Sequence, residues 1–232
     1  FALKLAGEPE YSEVMSQARE QILAHGGAMN ANVFTKFVLA FFQQISWDYV
    51  PYSPIEMILL PTWSPFHLNK ISYWSRTLMV PLFMLYSMRV TAKNPTACNI
   101  KELLIKPLQY NLLKANHKDS NNKIEKLALK KIFHFIDQCG KKIDPWMPLF
   151  IRNYALKKAE KWIIERLNGD NGLGGIFPAM MHAYKALHIL GYEKDNELRK
   201  QAESSCRKLI VERDNEAYCQ ACLSPVWDTA LA

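Results

Sequence analysis

Hydrophobic residues recur with the 3.6-residue period of an amphipathic α-helix along most of the chain, whereas strand-like alternation is almost missing. Near the start, Gly26 and Gly27 separate a segment at 12–25 from a second one at 31–45. Glycines end one helix and leave a loop before the next, because they adopt backbone conformations that other residues avoid. The pattern therefore predicts two antiparallel helices in this part of the chain.

Prolines interrupt the next part of the chain. They are frequent between residues 50 and 65 and leave room for only a short helical piece at 55–60. Helical periodicity resumes over 68–90, where we expect Pro81 to kink or divide the helix because its ring removes one backbone hydrogen bond. The polar stretch at 91–122 predicts a surface loop with short helical turns.

The helical period is clearest after residue 123. We predict a helix there that ends at Gly140, and further helices at 152–167, 176–190 and 195–213. The apolar face of the first of them consists of Ile124, Ala128, Ile132, Phe135, Ile136 and Cys139. Successive helical hairpins favour an all-α fold, an α/α barrel or a solenoid. No repeat of about 34 or 40 residues is present, which argues against TPR and HEAT arrays.

With 232 residues, of which 49% are hydrophobic, the chain can bury the core of one large domain or slightly more. Its formal net charge of +7 favours anionic partners. Basic and acidic residues are interspersed at 157–161 and 197–200, however, which is typical of solvated helix faces and argues against a nucleic-acid partner. The best apolar stretch, 77–88, is shorter than the about 20 residues that a membrane-spanning helix needs.

Cysteine and histidine patterns indicate neither a metal site nor a cofactor. The five cysteines form an odd set without framework spacing, which predicts a reducing compartment. Cys219 and Cys222 have the spacing of a zinc-ligand pair, but a structural zinc site needs four ligands and no second pair stands nearby. The six histidines include no HExxH motif. We therefore predict no metal and no cofactor.

The glycine-rich stretch 168–175 has the composition of a phosphate-binding loop but not its context. It follows a helix, lacks the Lys-Ser/Thr pair of a P-loop, and has Phe177 where a dinucleotide-binding motif needs its third glycine. A tight turn between two helices is the simpler interpretation. The serines and carboxylates likewise form no hydrolase elbow and no glycosidase pair.

Aromatic residues crowd around a few polar ones at 61–68 and 71–77. Such rings usually belong to a protein core, where each of them buries a large apolar area. Their alternative use is as a dry wall whose π-faces stabilise a cation, by about 0.5–2 kcal/mol per favourable ring. Composition alone favours core packing.

Three groups of motifs, in the right order along the chain, resemble those of bacterial squalene-hopene cyclases. They are FHL at 66–68 with SYWSRT at 72–77 and VPL at 80–82; ERLNG at 165–169 with GLGGIFPAM at 172–180; and YCQ at 218–220 with SPVWDTA at 224–230. The resemblance implies two α/α barrel domains around a large apolar cavity. We expect 1–215 to form most of one barrel and 216–232 to begin the second, catalytic barrel, in a chain that is a fragment of the whole enzyme.

The resemblance also implies an activity. In the family, an aspartic acid of a DxDDTA motif protonates squalene and starts a cascade of ring closures through carbocations, which gives hopene or hopanol. The cavity folds the substrate, stabilises cations and excludes water. The family further implies a monotopic enzyme on the cytoplasmic side of a membrane, with no cofactor, and leaves a homodimer open.

Residue roles follow from the same resemblance. Trp74 matches a tryptophan that lines the cavity, and Ile176, Phe177 and Pro178 match a segment of its wall. Packing within the barrel core is the alternative role for Trp74 and Ile176. We expect these residues to contact substrate and none of them to transfer a proton.

The last motif supplies Trp227, which resembles a ring near the end of the cavity where the reaction starts, and Asp228, which resembles a member of the polar network that supports the acid. DxDDTA itself is absent from the chain, so no residue here can be assigned as the proton donor. We therefore expect this chain alone to be inactive.

The sequence also departs from the family. The glycine-rich turn occupies the place of a QxxxGxW repeat motif, but Leu167, Asn171 and Leu173 replace its Gln, Gly and Trp. This puts in doubt a stacking clamp between side chains at the turn.

Other functions remain open at this stage. A cyclase of oxidosqualene or another polyprene would differ in the residues after 232, with a DCTAE-like motif in place of DxDDTA. A protein prenyltransferase β subunit shares the α/α toroid but needs a zinc site of Asp, Cys and His, which metal analysis would detect. A non-enzymatic helical scaffold would present a convex, fully packed surface at Trp74 and Trp227.

Overall fold

The computed structural model describes residues 1–94, 96–104, 123–214 and 216–222, with side chains for all of these except 123–130 and 170. The chain forms two compact units. The first consists of residues 1–52 and 91–145, and the second of 53–90 and 146–232. Because each unit takes two separate stretches of the chain, neither could be delimited from sequence composition.

Most described residues are helical, which confirms the all-α fold class. In chain order the helices and strands are α1 (Ala2–Leu5), α2 (Glu13–Ala24), α3 (Val33–Phe41), α4 (Tyr73–Ser87), α5 (Lys123–Ile143), α6 (Leu149–Ile164), α7 (Phe177–Ile189), α8 (Glu197–Lys208), β1 (Ile210–Arg213) and β2 (Glu216–Cys219). Short 3₁₀ helices lie between them, including Ile55–Leu59 in the proline-rich connector. No helix in the described ranges has both the length and the apolar character to span a membrane.

Side-chain caps explain where several helices begin. The side chain of Asn32 accepts a hydrogen bond from the Thr35 backbone N–H at the start of α3, at 2.9 Å. Ser12, Ser72 and Asn196 cap α2, α4 and α8 in the same way. Each cap satisfies a backbone N–H that has no partner within the helix.

In the first unit, the prediction that Gly140 ends its helix is wrong, because α5 continues to Ile143. The ring of Tyr52 occupies the space that a side chain at position 140 would need. Gly140 is therefore required by this close packing inside a helix and does not act as a stop signal.

In the second unit, two predicted helices differ in part from the structure. Pro81 is buried inside α4, which runs unbroken across it, so the proline does not divide the helix, and the kink stays a prediction. The helix predicted at 195–213 ends at Lys208, and the chain continues as β1, whose Ile210 pairs with Cys219 of the antiparallel strand β2. The β-branched pair Ile210 and Val211 favours strand over helix there.

The hydrophobic core of the second unit lies where α4, α6 and α7 pack together with the 3₁₀ helix Ile55–Leu59. Small residues on the contact faces let these helices approach closely. The buried members of this core are Ile55, Ile58, Leu68, Leu78, Val80, Phe83, Met84, Ala155, Ala159, Ile163, Leu173, Ile176, Ala179, Ala183 and Ala186. This core carries two of the segments with predicted site residues, the start of α4 and the start of α7.

Candidate functional site

Trp74 lies in the first turn of α4. Ser72 caps this helix by accepting a hydrogen bond from the Ser75 backbone N–H at 3.2 Å. The Trp74 backbone carbonyl accepts a hydrogen bond from Oγ1 of Thr77 at 2.7 Å. These two hydrogen bonds anchor the backbone around Trp74. Trp74 itself is 55% exposed, so its ring can contact another molecule.

Ile176, Phe177 and Pro178 form the start of α7. Ile176 has extended dihedral angles and is 7% exposed, as part of the core of the second unit. Phe177 packs against a small cluster of Met180, Cys206 and Leu209. Pro178 is exposed in the first turn of the helix, where its missing backbone N–H leaves no bond unmade.

The segment that follows β2 runs directly beside Ile176. Ile176 forms an isolated antiparallel bridge with Cys222, and the Phe177 backbone N–H donates to the carbonyl of Ala221 at 2.9 Å. Residues 223–232 follow this segment and include Trp227 and Asp228, which lie outside the described residues. Their predicted roles therefore stay predictions.

The glycine-rich turn connects α6 to α7, as the sequence indicated. Gly172, Gly174 and Gly175 have φ angles of 58°, 71° and 66°, a region that favours glycine. A Cβ atom on Gly174 would lie 2.5 Å from Oγ1 of Thr77. The turn before Ile176 therefore touches the helix turn after Trp74, and the structure brings these two predicted wall segments together.

Helix α8 holds the same turn from the other side. The Gln201 side chain donates a hydrogen bond to the Leu167 carbonyl at 3.1 Å, and Ser205 Oγ donates to the Gly169 carbonyl at 3.0 Å. These bonds run from side chains to the backbone. The turn is thus held at Leu167, which stands in place of the Gln of the repeat motif, and at Gly169.

Four aromatic residues in the stretch 61–77 of the second unit are exposed, although composition favoured core packing for them. They are Trp63, Phe66, Tyr73 and Trp74, and Trp63 is 81% exposed. We call them the aromatic surface. Core packing is the wrong interpretation for these rings in the described chain, because an exposed ring keeps a face free for another molecule.

Two ionisable side chains near α7, those of His182 and Cys206, have pKa values that favour their neutral forms. Burial lowers the pKa of His182 to about 4, so its imidazole is uncharged at neutral pH. Burial, with the nearby Glu203 carboxylate, raises the pKa of the Cys206 thiol to about 11. Both shifts keep these two side chains uncharged at neutral pH.

A buried ion pair lies in the core of this unit. Arg152 Nε is 2.9 Å from Glu56 Oε1, and both side chains are largely buried. The pair joins α6 to the 3₁₀ helix Ile55–Leu59, so its geometry bears on the packing of the core and not on proton transfer to a substrate.

A separate cleft of about 490 Å³ lies at the end of α6 and before α8. Its lining includes Glu160, Tyr192, Glu193, Asp195 and Asn196. The Tyr192 hydroxyl donates to Glu160 at 2.7 Å, and this hydrogen bond raises the pKa of Tyr192 to about 12. Such a polar, acidic lining does not suit a hydrocarbon. Among the residues that the structure describes, no three His, Cys, Asp or Glu side chains form a group that could hold a metal ion.

Comparison with known families decides which protein this is similar to. A model of the squalene-hopene cyclase N-terminal domain matches residues 1–215. The chain belongs to this family. The resemblance seen in the sequence motifs is thereby confirmed.

Three curated relatives illustrate the match. The squalene-hopene cyclases of Bradyrhizobium diazoefficiens, Zymomonas mobilis and Schizosaccharomyces japonicus are 42%, 38% and 39% identical to it. Each alignment covers 100% of this chain and 34–35% of the relative. The chain therefore spans about a third of the length of these squalene-hopene cyclases.

Sequence reasoning predicted Trp74 and the Ile176 segment as wall residues but gave no sign of the contact between Thr77 and Gly174 beside them. Thr77 and Gly174 are far apart in the sequence, and nothing in either pattern indicates that they touch. The one available signal was the density of glycines at 169–175, since glycines mark places of close backbone approach. That signal does not identify the partner.

Proposed function

We propose that the complete protein that carries this chain cyclises squalene to hopene or hopanol. The observation that carries the proposal is the aromatic surface of Trp63, Phe66, Tyr73 and Trp74, exposed in a member of the squalene-hopene cyclase family. Exposed rings with an apolar core behind them are suited to a hydrocarbon substrate, which offers no hydrogen bonds. This chain contributes part of the cavity wall.

The reaction starts when an aspartic acid of the family's DxDDTA motif protonates a terminal double bond of squalene. That motif is absent from this sequence, so the chain contains no initiating acid and is inactive alone. Aromatic faces stabilise each carbocation by about 0.5–2 kcal/mol per ring, and the closed cavity keeps out water that would end the cascade early. No dissociable cofactor takes part.

In this proposal Trp74, Ile176, Phe177 and Pro178 contact the substrate. Trp227 lies near the end where the reaction starts, and Asp228 belongs to the polar network of the acid. Residues 1–215 form most of one α/α barrel and 216–232 begin the second.

The complete enzyme sits monotopically on the cytoplasmic side of a membrane, from which it takes squalene. Support comes from α5, whose Ile132, Phe133, Phe135 and Ile136 are all exposed. An amphipathic helix with an uncovered apolar face is suited to lie in a membrane interface. In the second unit, Trp146, Leu149 and Phe150 before and at the start of α6 are also exposed. A homodimer is compatible with this arrangement.

Related cyclases of oxidosqualene or another polyprene are the alternative. Incubating the complete, membrane-reconstituted enzyme with squalene or with oxidosqualene and analysing the products separates the two. We expect pentacyclic hopene or hopanol from squalene without added cofactor. Unchanged squalene together with cyclised oxidosqualene would overturn the proposal in favour of the alternative.

A further inference from the structure

The contact between Gly174 and Thr77 has a geometry that leaves little room for change. A Cβ atom at position 174 would lie 2.5 Å from Oγ1, 3.0 Å from Cβ and 3.2 Å from Cγ2 of Thr77. Thr77 is fully buried, and a β-branched side chain in a helix has few rotamers open to it. The threonine therefore cannot turn aside to admit a side chain at position 174.

Both residues lie next to the predicted cavity wall. Thr77 donates the hydrogen bond to the carbonyl of Trp74, one helical turn before it. Gly174 precedes Ile176 by two residues in a turn that α8 holds from its other side through Ser205. The contact thus connects two backbone segments, and each segment carries one part of the wall.

We propose that Thr77 and Gly174 are positioning residues that set the separation between Trp74 and the Ile176–Pro178 segment, and through it the product outcome of the cyclase. This inference rests on the proposed function, because it takes Trp74 and Ile176 as residues that contact the substrate. Neither Thr77 nor Gly174 touches the substrate. They act through the backbone of the residues that do.

A small error in this separation has a large effect on the reaction. A misplacement of about 1 Å at a reacting centre costs up to about a hundredfold in rate. A wider gap beside the folded substrate also admits water, which captures the cation before all rings have closed. The expected signature is therefore a change in products, with more of the partly cyclised hydrocarbons and alcohols.

The glycines of this unit offer a matched control. Gly174→Ala adds a methyl group against Thr77. Gly191→Ala has a φ of 90° and nothing within 4 Å of its new Cβ, so it reports backbone strain alone.

The test uses these variants in the complete enzyme. For Gly174→Ala we expect kcat/KM for squalene to fall by about ten- to a hundredfold and partly cyclised products to increase. Adding Thr77→Ala removes two of the three close atoms together with the hydrogen bond to the Trp74 carbonyl, so the double variant should give the product ratio of Thr77→Ala alone. Gly191→Ala should leave the product ratio of the unaltered enzyme unchanged, whatever it does to stability.

Thr77 can also be varied alone. Thr77→Ser keeps the hydroxyl that binds the Trp74 carbonyl, whereas Thr77→Val keeps the shape and loses that bond. We expect normal products from the first and altered products from the second. Equal product ratios in Gly174→Ala and Gly191→Ala, or a product change in the double variant equal to the sum of the changes in the two single variants, would overturn the proposal.

A readout without turnover separates this inference from the proposed function. In protein labelled with 5-fluorotryptophan, the ¹⁹F resonance that disappears in Trp74→Phe belongs to Trp74. It should shift in Gly174→Ala, and in the double variant it should take the position that it has in Thr77→Ala. If squalene is not converted but the Trp74 resonance follows this pattern, the positioning holds and the proposed substrate is wrong. An unmoved Trp74 resonance would refute the positioning itself.

Discussion

Helices α4 and α5 show how differently two apolar helices can be placed. In α4 every residue from Leu82 to Ser87 is buried, because α6, α7 and the 3₁₀ helix Ile55–Leu59 surround it. In α5 the apolar pattern is the clearer of the two, yet Phe135 is 69% exposed and Ile136 is exposed beside it. The comparison teaches that periodicity identifies a helix and its apolar face, whereas only the fold decides whether that face is covered.

The largest expected difference is in stability. Leu85→Ala in α4 should lower the free energy of unfolding by about 2–5 kcal/mol, because it leaves a cavity at a fully enclosed site. Ile136→Ala in α5 removes a similar volume and should change it by less than about 0.5 kcal/mol, since that side chain is exposed. Urea unfolding of the two variants measures both values. A similar loss in both would show that the apolar face of α5 is covered in the protein under test.

Membrane binding should depend on the exposed apolar face of α5, although substitutions there change stability little. Replacing Phe135 with Glu should weaken binding to uncharged phospholipid vesicles by about tenfold or more, because burying a Phe side chain is worth about 1.5–3 kcal/mol. His134→Glu adds the same residue on the polar side of α5 and serves as the control. Vesicle co-sedimentation measures both. Equal weakening by the two variants would contradict a membrane contact through the apolar face.

A smaller effect is expected from pH. The pKa of His182 is lowered by burial from 6.5 to about 4, so between these values the unfolded chain binds a proton that the folded chain does not. The free energy of unfolding should therefore fall as pH drops from 6.5 towards 4, with no contribution from this residue above 6.5. His182→Gln should flatten the slope in unfolding experiments at a series of pH values. An unchanged slope would mean that other groups cause it.

The smallest effect should come from exposed charges. Arg207 Nη2 is 2.8 Å from Glu203 Oε1 on α8, and the arginine side chain is largely exposed. Arg207→Ala should change the free energy of unfolding by less than about 0.5 kcal/mol, because water and salt screen such pairs. A loss several times larger would show that this face of α8 is covered like that of α4.

Particular residues show how far sequence reasoning reached. The helix that Ser12 caps and the glycine turn at 168–175 depend on neighbours within a few residues, and the sequence predicted both. The helix that Ser72 caps was predicted to start at 68, but it starts at Tyr73. Gly140 was misread as a stop because its partner, Tyr52, is distant in sequence. The strand at Ile210 was missed because the helical pattern was extended to 213. The strand depends on pairing with Cys219, which a local pattern does not show.

The candidate site divides in the same way. Motif resemblance located Trp74 and Ile176 and predicted the family that residues 1–215 match. It did not reveal that Thr77 and Gly174 touch between them, nor that Trp63 and Phe66 are exposed. Rings in a sequence carry no mark that distinguishes a core from a cavity wall, because both need the same apolar area.

By itself the sequence determined the helical class, most helix boundaries, the family and the absence of an initiating DxDDTA acid from this chain. Only the tertiary structure decided which apolar faces are covered and which backbone segments meet at Gly174 and Thr77. The physical reason is the distance along the chain over which each interaction acts. Periodicity, caps and turns act over one or two helical turns, whereas close packing joins residues whose separation along the chain leaves no local trace.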